Sequence, residues 1–201
     1  ARPISIDGLY GVTPRQLVSP QLYESVQVLN GASAFLNGAA PGGSAIGGNV
    51  NLISKRAAAT DITRVTGDYT SSAQGGGAVD ISRRFGQDRA YGFRFNAAGM
   101  DGETPIDGER RADIALGGAF DWHNDDTRIN MNMNYKKQQV FGGRSAIVVS
   151  DMPVPLPTEP SKNWGQRWAY SDLSYLFGTM GIEHDFGKNV TVYGKFGAQS
   201  G

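Results

Sequence analysis

From about residue 61 onward, apolar and polar side chains alternate along the chain with a period of two. The clearest run is Arg128 to Lys136. Ile129, Met131, Met133 and Tyr135 fall on one side, and Asn130, Asn132, Asn134 and Lys136 on the other. Such alternation sends successive side chains to opposite faces of a strand, one of them apolar. Arg111 to Trp122 repeats it: Ala112, Ile114, Leu116, Gly118, Phe120 and Trp122 oppose Asp113, Ala115, Gly117, Ala119 and Asp121. Tyr91, Phe93, Phe95 and Ala97 oppose Gly92, Arg94, Asn96 and Ala98. Further on, Val190, Val192, Gly194, Phe196 and Ala198 oppose Thr191, Tyr193, Lys195 and Gln199. Weaker strands read at 62–70, 75–85 and 173–186, which predicts seven strands from these runs.

The connections between them are of two kinds. Gly86 to Arg89, His123 to Asp126 and Gly187 to Asn189 read as tight turns. Between these come segments around 71–75, 101–109 and 141–172, the last two long. Short turns on one rim and longer loops on the other are the mark of an outer-membrane barrel. Phe85, Tyr91, Trp122 and Phe186 sit beside the tight turns, where an interfacial aromatic girdle would lie. A soluble sandwich or barrel shows similar alternation. Its strands, however, average about 5–6 residues, whereas several here approach the roughly 9–11 that cross a bilayer. An open seven-stranded sheet would leave unpaired edges in lipid. Either the chain is part of a larger barrel, or it is not a membrane barrel.

Composition narrows the choice. The chain has 19 basic and 19 acidic residues and a formal net charge of zero, without the basic excess of a nucleic-acid partner. Mean hydropathy is −0.35, and no apolar run approaches the roughly 20 residues of a transmembrane helix. Glycine accounts for 28 of 201 residues, about twice the usual roughly 7%, and much of it lies inside alternating segments. The absence of cysteine excludes a disulfide framework, a thiolate metal site and a thiol nucleophile within this sequence. The chain opens at Ala1 without a basic-then-apolar leader and closes at Ser200-Gly201 in what reads as mid-strand, as expected of a piece of a longer sequence.

Residues 1–56 have a different texture. Two short β-like runs, Glu24 to Leu29 and Gly48 to Ile53, flank a glycine-dense connection from Gly38 to Gly48. Such a segment needs close backbone approaches or positive φ angles. It lacks the Lys-Ser/Thr ending and following helix of a phosphate loop. Ser44 is not in a G-x-S-x-G setting, so a structural connection is the better reading. Lys55-Arg56 and the run Ala57 to Ala59 mark a boundary.

Several ordered pieces carry a family resemblance. Glu24-Ser25-Val26-Gln27-Val28-Leu29-Asn30-Gly31 is followed by Pro41-Gly42-Gly43 and then by Gly48-Asn49-Val50-Asn51-Leu52-Ile53-Ser54-Lys55-Arg56. Upstream stands Ile4-Ser5-Ile6-Asp7-Gly8; downstream come Ser82-Arg83-Arg84-Phe85-Gly86 and Gly92-Phe93-Arg94-Phe95-Asn96. In this order they resemble the end of the plug and the first barrel hairpin of TonB-dependent siderophore receptors. Gln27, Asn30 and Ala32 stand where that family usually has glutamate, a basic residue and proline.

The resemblance implies an all-β transmembrane barrel, of which this chain is a fragment, with 22 antiparallel strands in the whole and a small α+β plug domain inside. Residues 1–58 would be the C-terminal part of the plug and 59–201 the first seven or so barrel strands. It implies a receptor rather than an enzyme, in the outer membrane of a Gram-negative bacterium. The partners would be a ferric siderophore, the TonB-ExbB-ExbD energy-coupling complex and outer-membrane lipid, with no resident cofactor. Import of haem, cobalamin or a glycan stays open, as do a non-energised barrel or adhesin and a soluble β-domain.

Candidate ligand contacts follow. In the resembled family the connection after the Asp7-Gly8 strand rises toward the ligand. Tyr10 there offers a flat apolar face with a hydroxyl, and Arg15 a partner for an anionic chelate. The long segment 141–172 holds Pro153, Pro155, Pro157 and Pro160, then Trp164, Arg167, Trp168 and Tyr170. Loops this long are usually functional or disordered, and aromatics beside arginine suit a planar or anionic ligand. Trp168 and Tyr170 equally suit an outer aromatic girdle. His123 and His184, among Asp121, Asp125, Asp126, Glu183 and Asp185, match no zinc-site spacing and read as solvated turn residues.

Overall fold

The computed structural model describes residues 4–14, 18–31, 47–70, 72–145, 156 and 159–201. The glycine-dense connection and Ser44 fall almost wholly outside this set, as do Arg15, Pro153, Pro155 and Pro157.

Two sheets make up the fold. The smaller contains β1 (Ile4–Ile6), β2 (Leu9–Tyr10), β3 (Tyr23–Leu29) and β4 (Asn49–Ser54) in the order β2-β1-β4-β3. β1 and β4 are parallel and the other pairs antiparallel. Asp7 and Gly8 turn β1 into β2 with φ of 51° and 84°, the two positive angles that a two-residue hairpin loop requires. The register of β3 against β4 shifts between Tyr23 and Ser25, a bulge centred on Glu24.

The larger sheet contains β5 (Ile62–Thr70), β6 (Gln74–Phe85), β7 (Tyr91–Glu103), β8 (Arg110–His123), β9 (Thr127–Phe141), β10 (Tyr170–Phe186) and β11 (Val190–Ser200). Each strand pairs antiparallel with its neighbours in sequence, giving an up-and-down meander. The seven strands expected from the alternation are all present. Their outer ends are longer than that pattern indicates. β7 continues to Glu103 and β8 begins at Arg110, so the connection expected at 101–109 shortens to 104–109. β9 runs on to Phe141 and β10 starts at Tyr170. The ladder persists there because backbone pairing and cross-strand ion pairs such as Arg110–Asp101 at 2.6 Å do not need apolar side chains. Among the described residues the complete helical elements are the 3-10 turns Pro20–Leu22 and Gln87–Arg89, with Gly47 also in 3-10 conformation; no α-helix of an α+β plug occurs among them.

The larger sheet is inverted relative to a soluble protein. On β9, Asn132 and Asn134 are 4% and 5% exposed, while Met131 and Met133 are 48% and 61% exposed. On β7, Arg94 and Asn96 are buried between exposed Phe93 and Phe95. Carried across the register, one face presents Val79, Phe93, Phe120, Met131, Met180, Ile182 and Phe196 outward. A continuous apolar face of this extent needs a non-aqueous neighbour, and an apolar outer band with a polar interior is the pattern of membrane barrels. Phe85 stacks on Tyr91 at 5.7 Å at the tight-turn end of that band, with Phe186 exposed further along the rim.

The small sheet packs on the polar face. Ile6, Val12, Leu22, Tyr23 and Leu52 from the small sheet and its connections form one apolar cluster with Ala115 of β8 and Phe177 of β10. Gly117 of β8 makes room for this packing: a Cβ there would crowd Leu22 and Asn134.

Candidate ligand-facing site

A polar junction fastens the small sheet to the wall near the tight-turn end. Arg94 grips Asp80 with two nitrogens, Nε to Oδ1 at 2.9 Å and Nη2 to Oδ2 at 2.8 Å. Its remaining nitrogen, Nη1, donates to Glu24 Oε2 at 2.8 Å and to the Arg56 carbonyl at 2.9 Å. Lys55 Nζ adds a 2.9 Å bond to Asp80 Oδ2. Nearby, Arg84 binds Asp121 and the Ala57 and Ala58 carbonyls, and Ser82 Oγ accepts from the Ala58 amide at 2.9 Å. Lys195 of β11 donates to the Asp7 carbonyl at 2.8 Å. Arg94 and Asp80 are nearly buried, so that pair is expensive to strand without partners, and the junction fixes how the small sheet sits.

Toward the loop end, a cavity of about 660 Å³ opens between the connection after β2 and the inner face of β9, β10 and β11. Its lining includes Pro14, Lys136, Gln138, Tyr175 and Gln199. Lys136 Nζ lies 3.5 Å from Asp113, and Gln138 donates to the same carboxylate at 2.9 Å. The Tyr175 hydroxyl donates to the Val12 carbonyl, and Gln199 donates to the Gly11 carbonyl at 2.7 Å. The wall thus holds the 11–14 connection at the cavity mouth. The surface is polar, amide-rich and concave.

The residues singled out from sequence are not gathered at one point. Tyr10 is half-buried, its hydroxyl accepting from Asn49 Nδ2 at 3.0 Å, within the side-chain network of the small sheet. Arg15 lies outside the described residues. Trp164 is 49% exposed in the β9–β10 connection, with Lys162 Nζ 5.1 Å from its ring centroid. Arg167 and Trp168 are exposed in the same connection. Tyr170 opens β10 opposite Phe141 and shares the outward face with Leu176, Met180 and Ile182, away from the cavity. Of the histidines, His184 Nδ1 sits 2.8 Å from Thr127 Oγ1 and edge-on to Phe186; among the described residues no group of three metal-binding side chains occurs. Sequence reasoning missed Tyr175 and Gln199, whose inward parity was the available signal.

Burial dominates the environment of Tyr23, in β3 of the small sheet. It pushes the phenol well above its ordinary pKa, with Tyr175 and Asp7 adding in the same direction. Tyr23 is therefore a neutral packing residue.

No family model matches the chain. The ferrichrome receptor FcuA of Yersinia enterocolitica is 41% identical over 196 residues, covering 97% of this chain; the chain spans 26% of the length of that curated relative. The crystal structure of BauA, the ferric preacinetobactin receptor of Acinetobacter baumannii, superposes with a TM-score of 0.92 at 31% identity, covering 98% of this chain and 30% of that one. The siderophore receptor PiuA of Acinetobacter baumannii shares the fold, with a TM-score of 0.81 at 21% identity over 98% of this chain and 28% of its own.

Proposed function

We propose that this chain, a member of the TonB-dependent outer-membrane siderophore receptors, forms the end of the plug and the first wall strands of a receptor that imports ferric siderophores. The observation that carries the proposal is the small sheet seated on the polar face of a long antiparallel meander whose opposite face is apolar. A passive pore or adhesin has no need of such an occupant, and a soluble β-domain would not leave Met131, Met133 and Phe196 to water.

On this reading residues 1–58 belong to the plug and 59–201 to the wall, which the rest of the protein closes into a 22-stranded barrel. The outward face meets lipid. The cavity at the loop end receives the chelate, with Trp164 and Arg167 of the β9–β10 connection as further proposed contacts. No covalent reaction occurs; energy from the TonB-ExbB-ExbD complex rearranges the plug so that the chelate passes. Ferrichrome, for which the curated relative is named, is the first ligand to test.

The test is uptake of labelled iron by cells carrying the full-length receptor, offered a panel of ferric siderophores with and without an uncoupler of the proton gradient. Uptake of one chelate that vanishes with the uncoupler supports the proposal. Uncoupler-insensitive uptake would replace it with a passive pore, and no uptake across the panel would point to another scarce nutrient.

A further inference from the structure

Two connections far apart in sequence are tied together at the loop end of the wall. Residues 104–109 join β7 to β8, and the described segments 142–145 and 159–169 belong to the connection between β9 and β10. Asn163 links all three. Its Nδ2 donates to the Asp107 carbonyl at 3.0 Å and to the Gly142 carbonyl at 2.6 Å, and its Oδ1 accepts from the Gly165 amide at 2.8 Å. The Asp107 amide donates to the Ser161 carbonyl at 2.8 Å. Beneath them Glu109, 3% exposed, accepts from Arg111 Nη2 at 3.0 Å, Thr104 Oγ1 at 3.2 Å and the Arg144 amide at 3.3 Å. Gly142 and Gly108 touch: both have positive φ, and a Cβ on Gly142 would run into the Gly108 carbonyl.

We infer that these three segments form one fixed unit, in which Asn163 is a positioning residue that presents Trp164, with Lys162 beside its ring, as a ready-made contact face for the chelate. The ligand part rests on the receptor reading above. A loop that must order itself around a ligand loses side-chain and backbone freedom on binding, and a preformed face avoids that loss. Here donors and acceptors of the described segments are already engaged with each other, and Glu109 anchors them from below. Trp164 keeps about half its surface free.

The experiment uses the full-length receptor carrying Asp107→Cys and Ser161→Cys, two positions joined by a backbone hydrogen bond and set in a segment without native cysteine. The oxidised, cross-linked receptor is expected to bind the ferric chelate and support uptake as wild type does. Separately, Asn163→Ala is expected to weaken binding by about tenfold with the maximal uptake rate unchanged, and the cross-link in that background is expected to restore binding. Loss of uptake on oxidation, regained on reduction, would overturn the fixed unit. So would normal binding by Asn163→Ala, or weakened binding that the cross-link leaves unrestored. Failure of wild type itself to bind any ferric chelate would sink the receptor reading instead.

Discussion

Arg94 of β7 and Glu24 of β3, 70 positions apart in sequence, meet at 2.8 Å across the gap between the two sheets. The bulge at Glu24 is what makes the meeting possible, because an extra residue in a strand re-aims the side chain it displaces. Arg94 also holds Asp80 through a two-pronged contact, and both are nearly buried. Removing the guanidinium leaves Asp80 with Lys55 as its remaining cation. Arg94→Ala is therefore expected to cost about 3–5 kcal/mol. Glu24→Gln, at a carboxylate 57% exposed, should cost under about 1 kcal/mol. Arg94→Lys should rescue only partly, since lysine cannot form the two-pronged contact. Equilibrium unfolding of the full-length receptor in detergent ranks the three; equal effects for Arg94→Ala and Glu24→Gln would refute this account.

Much of the wall was legible because its signal is local. Met131, Asn132, Met133 and Asn134 assign their faces by parity alone, and the structure keeps that assignment. What each inward residue touches was not legible. Nothing in Phe93-Arg94-Phe95 indicates Asp80, Glu24 or Lys55, because those contacts depend on sheet register and on how the small sheet docks. Strand ends were hidden for a different reason. Ser171 and Asp172 interrupt the apolar alternation, so Tyr170 read as a loop residue although backbone pairing already holds it in β10. In the loops, Glu109 and Asn163 resemble ordinary turn residues; only their long-range partners distinguish them.

The outward face makes a second prediction. Met133 is 61% exposed near the middle of the apolar band, where a charge would sit in hydrocarbon. Met133→Arg is expected to destabilise the receptor in a bilayer by about 2–4 kcal/mol. Thr127→Arg, at the turn rim, should cost far less because charge there reaches water. Folding of the full-length receptor into lipid vesicles, followed by heat-modifiable mobility on gels, measures both. Equal tolerance at the two positions would argue that this face does not meet lipid.

Alkaline pH tests the burial of Tyr23. Its folded-state pKa lies above the ordinary value of 10.0 because burial disfavours the phenolate. In the unfolded chain the phenol ionises near that ordinary value. The contribution to stability is complete below pH 10 and falls as pH rises above it, by up to about 1.4 kcal/mol per pH unit while the folded phenol stays neutral. Tyr23→Phe removes the ionisation and should flatten this limb of the stability profile. The comparison is made by denaturant titration from pH 9 to pH 11, and identical profiles for the two proteins would show that Tyr23 is not the buried phenol responsible.

Tyr170 and Tyr175 offer the sharpest separation of ligand contact from membrane contact, since both belong to β10 and differ in parity. Tyr175 faces inward, lines the loop-end cavity and holds the Val12 carbonyl. Tyr170 faces outward, is 74% exposed and pairs with Phe141 at the outer rim. If the cavity receives the chelate, Tyr175→Ala should weaken binding by about tenfold, roughly 1.4 kcal/mol, through lost contact and release of the 11–14 connection. Tyr170→Ala should leave affinity unchanged and reduce stability in the bilayer, where an aromatic side chain at the interface has an anchoring role. Titration of each purified receptor with ferrichrome, beside its thermal stability in vesicles, reads both effects. The reverse result, with affinity lost at Tyr170 and retained at Tyr175, would move the ligand to the loop exterior and empty the cavity of its proposed role.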